Sequence, residues 1–160
     1  MNRTLFYGLA FIFITTMSML NNYLYEWTAE NNVSAFFGAI NDSPFQRLKN
    51  IIYPWFLFLF LFDSYNAPSS IFGLIVCCIL IPSFYYLALA FGHTSMFLDV
   101  FTLFFSIGVG LSMWNFVSYH ILWFRVRRPI DAIVVIVVVG GIISWFTYCT
   151  YDHCNGEFYN

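Results

Sequence analysis

Between Asp63 and Arg125 the chain carries one formally charged side chain, Asp99. Almost everything else in that stretch is aliphatic or aromatic. Across the whole 160 residues, 61% are hydrophobic and 9% charged, against about 25% charged in an ordinary soluble domain. A soluble domain this small has too little interior to hide so much apolar surface. The solvent for most side chains is therefore lipid, and the fold class expected is an all-α integral membrane protein, since a helix satisfies its own backbone in hydrocarbon.

A span needs about 20 mostly apolar residues. Applied along the chain, this gives a single transmembrane domain over 1–160, a bundle of about five helices at 4–24, 44–62, 70–90, 95–124 and 130–148. A loop, extramembrane or re-entrant, fills 25–43, and a polar tail covers 149–160. Arg3 followed by an apolar stretch resembles a signal peptide, but Met19-Leu20-Asn21-Asn22 offers no small-x-small cleavage site, so it reads as an uncleaved first span. Thr15, Thr16 and Ser18 within it are expected to bond back to their own helix carbonyls.

The second helix has a readable start. Ser43 fits the N-cap, Pro44 the first helical position and Gln46 the reciprocal partner of a capping box. Arg47 and Lys49 fall in its first two turns and are expected to snorkel to the headgroups. Pro54 and Pro82 donate no hydrogen bond, so the carbonyls of Asn50 and Cys78 lose their helical donors and each helix should bend there. In the fourth helix Asp99, Thr102, Ser106 and Gly110 recur at spacings of three and four and share a face. Ser106/Gly110 and Gly108/Ser112 are small-xxx-small pairs that let helices approach closely. Gly140, Gly141 and Ser144 offer a similar face on the fifth. These glycine-rich faces of helices four and five also suit a homo-oligomer.

Orientation follows the Lys/Arg count near the span ends. With the N-terminus inside, Arg3, Arg125, Arg127 and Arg128 lie inside, and Arg47 and Lys49 outside. The C-terminus is then outside. Arg125, Arg127 and Arg128 are read as contacts to lipid headgroups. The outer tail would permit a Cys149–Cys154 disulfide, whereas Cys77 and Cys78 sit mid-span as small packing residues. Asn32-Val33-Ser34 and Asn41-Asp42-Ser43 match the glycosylation pattern, which is weak evidence.

Charge that is kept at the edge of a membrane needs a reason. Glu26, Glu30 and Asp42 could converge with Arg47 and Lys49, and Asp99 could join Asn22 and Asn50 around one polar cavity. The candidate binding residues are therefore Glu26, Asp42, Arg47, Lys49 and Asp99. The alternatives are a solvated loop with loosely paired acids and, for Asp99, a helix-start acid favoured by the dipole. Cys149, Asp152, His153 and Cys154 have ligand chemistry but no second pair, so neither a metal nor a cofactor is expected. No nucleophile–base arrangement, phosphate-cradling glycine loop or basic patch for nucleic acid is visible. Three functions remain: a non-enzymatic ligand- or partner-binding or structural membrane module, placed first; an enzyme acting on a lipid or lipid-linked substrate; and an oligomeric pore.

Leu24-Tyr25-Glu26-Trp27, Asn41-Asp42-Ser43, Leu48-Lys49 and Pro54 together resemble a family of small multi-pass bacterial membrane proteins known only as a domain of unknown function. That family shows a histidine two residues before the Leu-Tyr-Glu-Trp block and then an Asn-Glu-Ser-Val-Trp-Glu-His-Leu-Lys segment. Here Asn22 stands at the histidine position, Asp42 at the first Glu, and Gln46-Arg47 at the Glu-His pair. The resemblance covers about thirty residues. It implies a bacterial inner-membrane protein with a similar order of helices and transfers no activity.

Overall fold

The computed structural model describes residues 3–28, 37, 44–62, 67–92, 96–120, 137, 141, 142 and 145. Its elements are α1 (Arg3–Trp27), α2 (Pro44–Phe62), α3 (Ala67–Ala90) and α4 (Met96–His120). No strand occurs among the described residues. Three stretches, Arg3–Leu24, Ser69–Ala90 and Phe97–His120, are long and apolar enough to cross a membrane. This fits an integral membrane protein. Helix α2 falls short because Gln46, Arg47, Lys49 and Asn50 crowd its first two turns. Of the expected fifth helix, Val137, Gly141, Ile142 and Trp145 are helical and Ile142 packs on the core. The rest of 130–148 lies outside the described residues.

Each helix packs against its neighbour in sequence, and α1 closes the ring against α4. Neighbours run antiparallel: Asn22 near the end of α1 meets Asn50 near the start of α2, and Arg3 at the start of α1 meets Tyr119 at the end of α4. The two ends of the bundle are therefore polar and its middle is not. That middle is aromatic. Trp55 and Trp114 are both fully buried with ring centroids 6.0 Å apart. Phe6 and Tyr7 meet Trp114 edge-on at 5.7 and 5.5 Å, and Phe58 adds a third edge at 6.3 Å. Edge-to-face pairs contribute about 0.5–1.5 kcal/mol each beyond area burial. The Trp55 indole N–H donates to Ser70 Oγ at 2.7 Å, so its one polar atom is satisfied at the start of α3.

Helices α3 and α4 approach most closely at two glycines. A Cβ on Gly110 would lie 2.2 Å from Cys77 Sγ and 2.8 Å from the Gly73 carbonyl oxygen; one on Gly73 would lie 2.4 Å from the Gly110 carbonyl oxygen. No side chain fits at either position. The Cys77 thiol donates to the Ser106 carbonyl at 3.1 Å across the same crossing. The expected Ser106/Gly110 pair is thus a packing face, and its partner is α3 of the same chain. Cys77 and Cys78 are free thiols, buried and half-buried, in keeping with packing.

Several boundaries shift from expectation. Helix α1 continues past 24 to Trp27: Thr28 donates to the Leu24 carbonyl through both its N–H (3.2 Å) and its hydroxyl (2.8 Å). Helix α3 starts at Ala67, earlier than 70, and takes Pro68 into its first turn, where a missing N–H costs nothing. It ends at Ala90, and Gly92, with a φ of 68°, caps it from the left-handed region with its N–H on the Leu89 carbonyl at 3.0 Å. Both prolines sit inside unbroken helices. Two hydroxyls differ from expectation: Thr15 Oγ1 and Ser18 Oγ are buried with no hydrogen-bond partner. Ser83 and Ser112, which face outward, do bond back, to Ile79 at 2.6 Å and Gly108 at 2.8 Å. The outward hydroxyls have no other acceptor in lipid; the inward ones are turned into the core.

Candidate functional site

The polar half of α2 organises one end of the bundle. Arg47 Nη1 donates to Asp99 Oδ1, and the two form an ion pair that links α2 to α4. The same guanidinium lies over the Tyr85 ring at 5.2 Å, which brings in the end of α3. Asp99 occupies the first turn of α4, where unpaired backbone N–H groups and the helix dipole favour a carboxylate. Its side chain is 47% exposed and that of Arg47 is 21%. With that exposure the ion pair contributes little by itself, about 0–1 kcal/mol. The cation–π contact adds about 0.5–1 kcal/mol. Asp99 is thus a helix-start acid that pairs with Arg47.

One turn further along α2 is an amide cluster. Asn50 Nδ2 donates to Asn22 Oδ1 at 2.9 Å, and Asn50 Oδ1 accepts from Asn21 Nδ2 at 3.2 Å. Asn21 Nδ2 also reaches the Phe37 carbonyl at 2.7 Å. Asn50 is 5% exposed and uses both ends of its amide. The asparagines bond among themselves while Asp99 bonds Arg47. The single cavity expected around Asp99, Asn22 and Asn50 is thus two adjoining clusters joined through one turn of α2.

Lys49 departs most from expectation. It is fully buried and does not snorkel outward. Lys49, Asn50, Ile51 and Ile52 are consecutive and all buried, so α2 is enclosed on every side at this level. No face is left along which the stem could reach headgroups. A charge drawn into the protein this far is costly and is retained only where the surroundings compensate it.

The structure thus brings Arg47 and Asp99 together, while Lys49, two residues on from Arg47, leaves α2 on another face and is buried there. Glu26 lies in α1, with its side chain outside the described ones. Glu30, Asp42, Arg125, Arg127, Arg128, Cys149, Asp152, His153 and Cys154 also lie outside the described residues. No group of three or more His, Cys, Asp or Glu occurs among the described residues. Asn21 and Tyr85 were not legible as members of this end. The available signal for Asn21 was that amides at the close of one helix and the opening of the next meet when the two run antiparallel. For Tyr85, in an apolar run beside Tyr86, no comparable signal exists. A comparison with protein-family models, curated proteins and solved structures finds no match to this chain.

Proposed function

We propose that this chain is a non-enzymatic, multi-pass membrane module that binds a small polar or ionic ligand, or a partner, at the end where Arg47, Lys49, Asp99 and the asparagines meet. The observation that carries the reading is the convergence of three helices on Arg47, through Asp99 and Tyr85. An ionisable residue kept within a membrane protein is by default a candidate for a functional role. Glu26 and Asp42 would complete the site from the 25–43 segment. The N-terminus is placed inside and this end outside by the Lys/Arg count, in a bacterial inner membrane. The likeness of the 24–54 stretch to the uncharacterised bacterial family supports architecture only. It is suggestive that Asn22 and Arg47, at two of that family's histidine positions, both belong to this end.

The enzymatic reading draws less support, because the acid of the pair is matched with a guanidinium, which does not accept a proton. The pore reading loses one of its motives, since Gly110 is used within the chain.

The test is a thermal-shift titration of the full chain in neutral detergent against inorganic anions, mono- and divalent cations and small amides. A ligand of this end raises the melting temperature of the wild type and not of Arg47→Gln or Asp99→Asn. A ligand that stabilises both variants as much as the wild type would remove the site from here.

A further inference from the structure

The opposite end of the bundle holds a cleft of about 560 Å³ between the first turns of α1 and the last turns of α4. Its walls carry Arg3, Thr4, Ser112, Asn115, Tyr119 and His120. Volume alone fits a headgroup-sized molecule, since small-ligand sites run about 300–1,000 Å³. The charge is one-sided. Among the described lining residues there is a guanidinium, an imidazole, hydroxyls, an amide and the rings of Tyr7 and Phe116, and no carboxylate. Arg3 is held over the Tyr119 ring at 5.6 Å, which fixes the cation at the rim. The His120 ring is likewise packed, against Phe116 at 4.6 Å and Tyr119 at 4.8 Å. The first turn of α1 contains no acid to neutralise its backbone N–H groups. Beside these polar groups, Leu5 (56% exposed) and Phe116 (55%) present hydrocarbon on the outer surface. A cationic, hydroxyl-lined recess next to exposed apolar side chains matches a molecule with an anionic head and an acyl tail.

We propose that this cleft is a phosphate-anion site that takes the headgroup of an anionic phospholipid. Arg3 supplies the charge, Thr4, Asn115 and Tyr119 supply hydrogen-bonding groups, and Leu5 and Phe116 lie along the chain. The site lies at the opposite end of the bundle from Arg47.

The experiment uses the full chain, delipidated in neutral maltoside micelles. Thermal stability is titrated with phosphatidylglycerol, with phosphatidylcholine and with inorganic phosphate. Phosphatidylglycerol should stabilise at lower concentration than phosphatidylcholine, and Arg3→Gln should raise its half-saturating concentration about fivefold, the worth of one surface cation near anionic lipid. Arg3→Gln/His120→Gln should abolish the preference over phosphatidylcholine. Inorganic phosphate that both stabilises and blocks the lipid supports the anion site with free phosphate as its source. Equal stabilisation by both lipids overturns the proposal, as does no stabilisation by lipid or phosphate, or a preference undiminished in Arg3→Gln. Arg3 is exposed and holds no core contact, and a lipid-free melting temperature matching the wild type shows that the variant folds.

Discussion

Replacing Gly110 by alanine should destabilise the bundle, and the structure says by how much. The added Cβ would sit 2.2 Å from Cys77 Sγ, 2.8 Å from the Gly73 carbonyl oxygen and 3.2 Å from the Trp55 ring. Ordinary separations are about 3.5–4.0 Å. Cys77 is short and fully buried, and the carbonyl is backbone, so neither contact can be relieved by swinging a flexible tip. Helices α3 and α4 must move apart by the order of an ångström, which also stretches the thiol bond from Cys77 to Ser106. Overpacking of this kind costs about 1–3 kcal/mol. Alanine returns up to about 1 kcal/mol through helix propensity. The net loss should be roughly 1–2 kcal/mol. The assay is reversible SDS unfolding in mixed micelles, with Gly108→Ala as the control: a Cβ there meets only Phe11 Cε2, at 3.8 Å, an ordinary contact. Gly108→Ala should be neutral or slightly stabilising. Adding Cys77→Ala to Gly110→Ala should recover part of the loss, since one of its contacts is removed while the Gly73 carbonyl remains. If Gly110→Ala is as stable as Gly108→Ala, the close crossing of α3 and α4 is wrong.

Other substitutions separate the remaining features. Asn50→Leu strips Asn21 and Asn22 of their shared partner and should cost about 1–2 kcal/mol, with Asn22→Leu non-additive to it in a double-mutant cycle of unfolding. A cycle of Arg47→Gln with Asp99→Asn should give a coupling of about 0.5–1 kcal/mol that shrinks in high salt; a coupling beyond that range would mean that the pair is drier than its exposure indicates. Trp55→Phe leaves Ser70 Oγ buried without its donor and should cost about 1–3 kcal/mol on top of lost ring contact, while Ser70→Ala in that background should add little. Phe60 is 84% exposed, so Phe60→Ala should leave unfolding in detergent within about 0.5 kcal/mol of wild type.

Hydropathy located the four described helices to within a few residues, because the transfer of about twenty apolar residues is a large, additive signal. It did not locate what each helix faces. Lys49 shows why. Snorkelling is the ordinary outcome for a lysine near a helix end, but it requires a lipid-facing side, and Lys49 through Ile52 have none. Which sides of α2 are enclosed depends on its neighbours, and no spacing within α2 contains that. The phenylalanines at 56, 58, 60 and 62 are uninformative for the same reason: Phe58 is in the core and Phe60 is among the most exposed residues, although the run is uniformly apolar. The crossing of α3 and α4 was half legible. Ser106 and Gly110 announce a small-residue face, while Ser69, Gly73 and Cys77, which repeat every four residues on α3, were obscured by a cysteine that is small enough to act in such a face. At the polar end, Asp99 stood out as the lone charge in its stretch, and Arg47 as one of few cations. Their pairing was beyond reach, since fifty-two positions separate them and only the ring of helices brings them together.

The two tryptophans have a consequence for what the bundle can pass. Trp55 and Trp114 are wholly enclosed and stacked about with Phe6, Tyr7 and Phe58 at a level between the Arg47 end and the Arg3 end. They form a septum. A solute held beside Asp99 would have to displace two indoles to travel through the middle of these four helices.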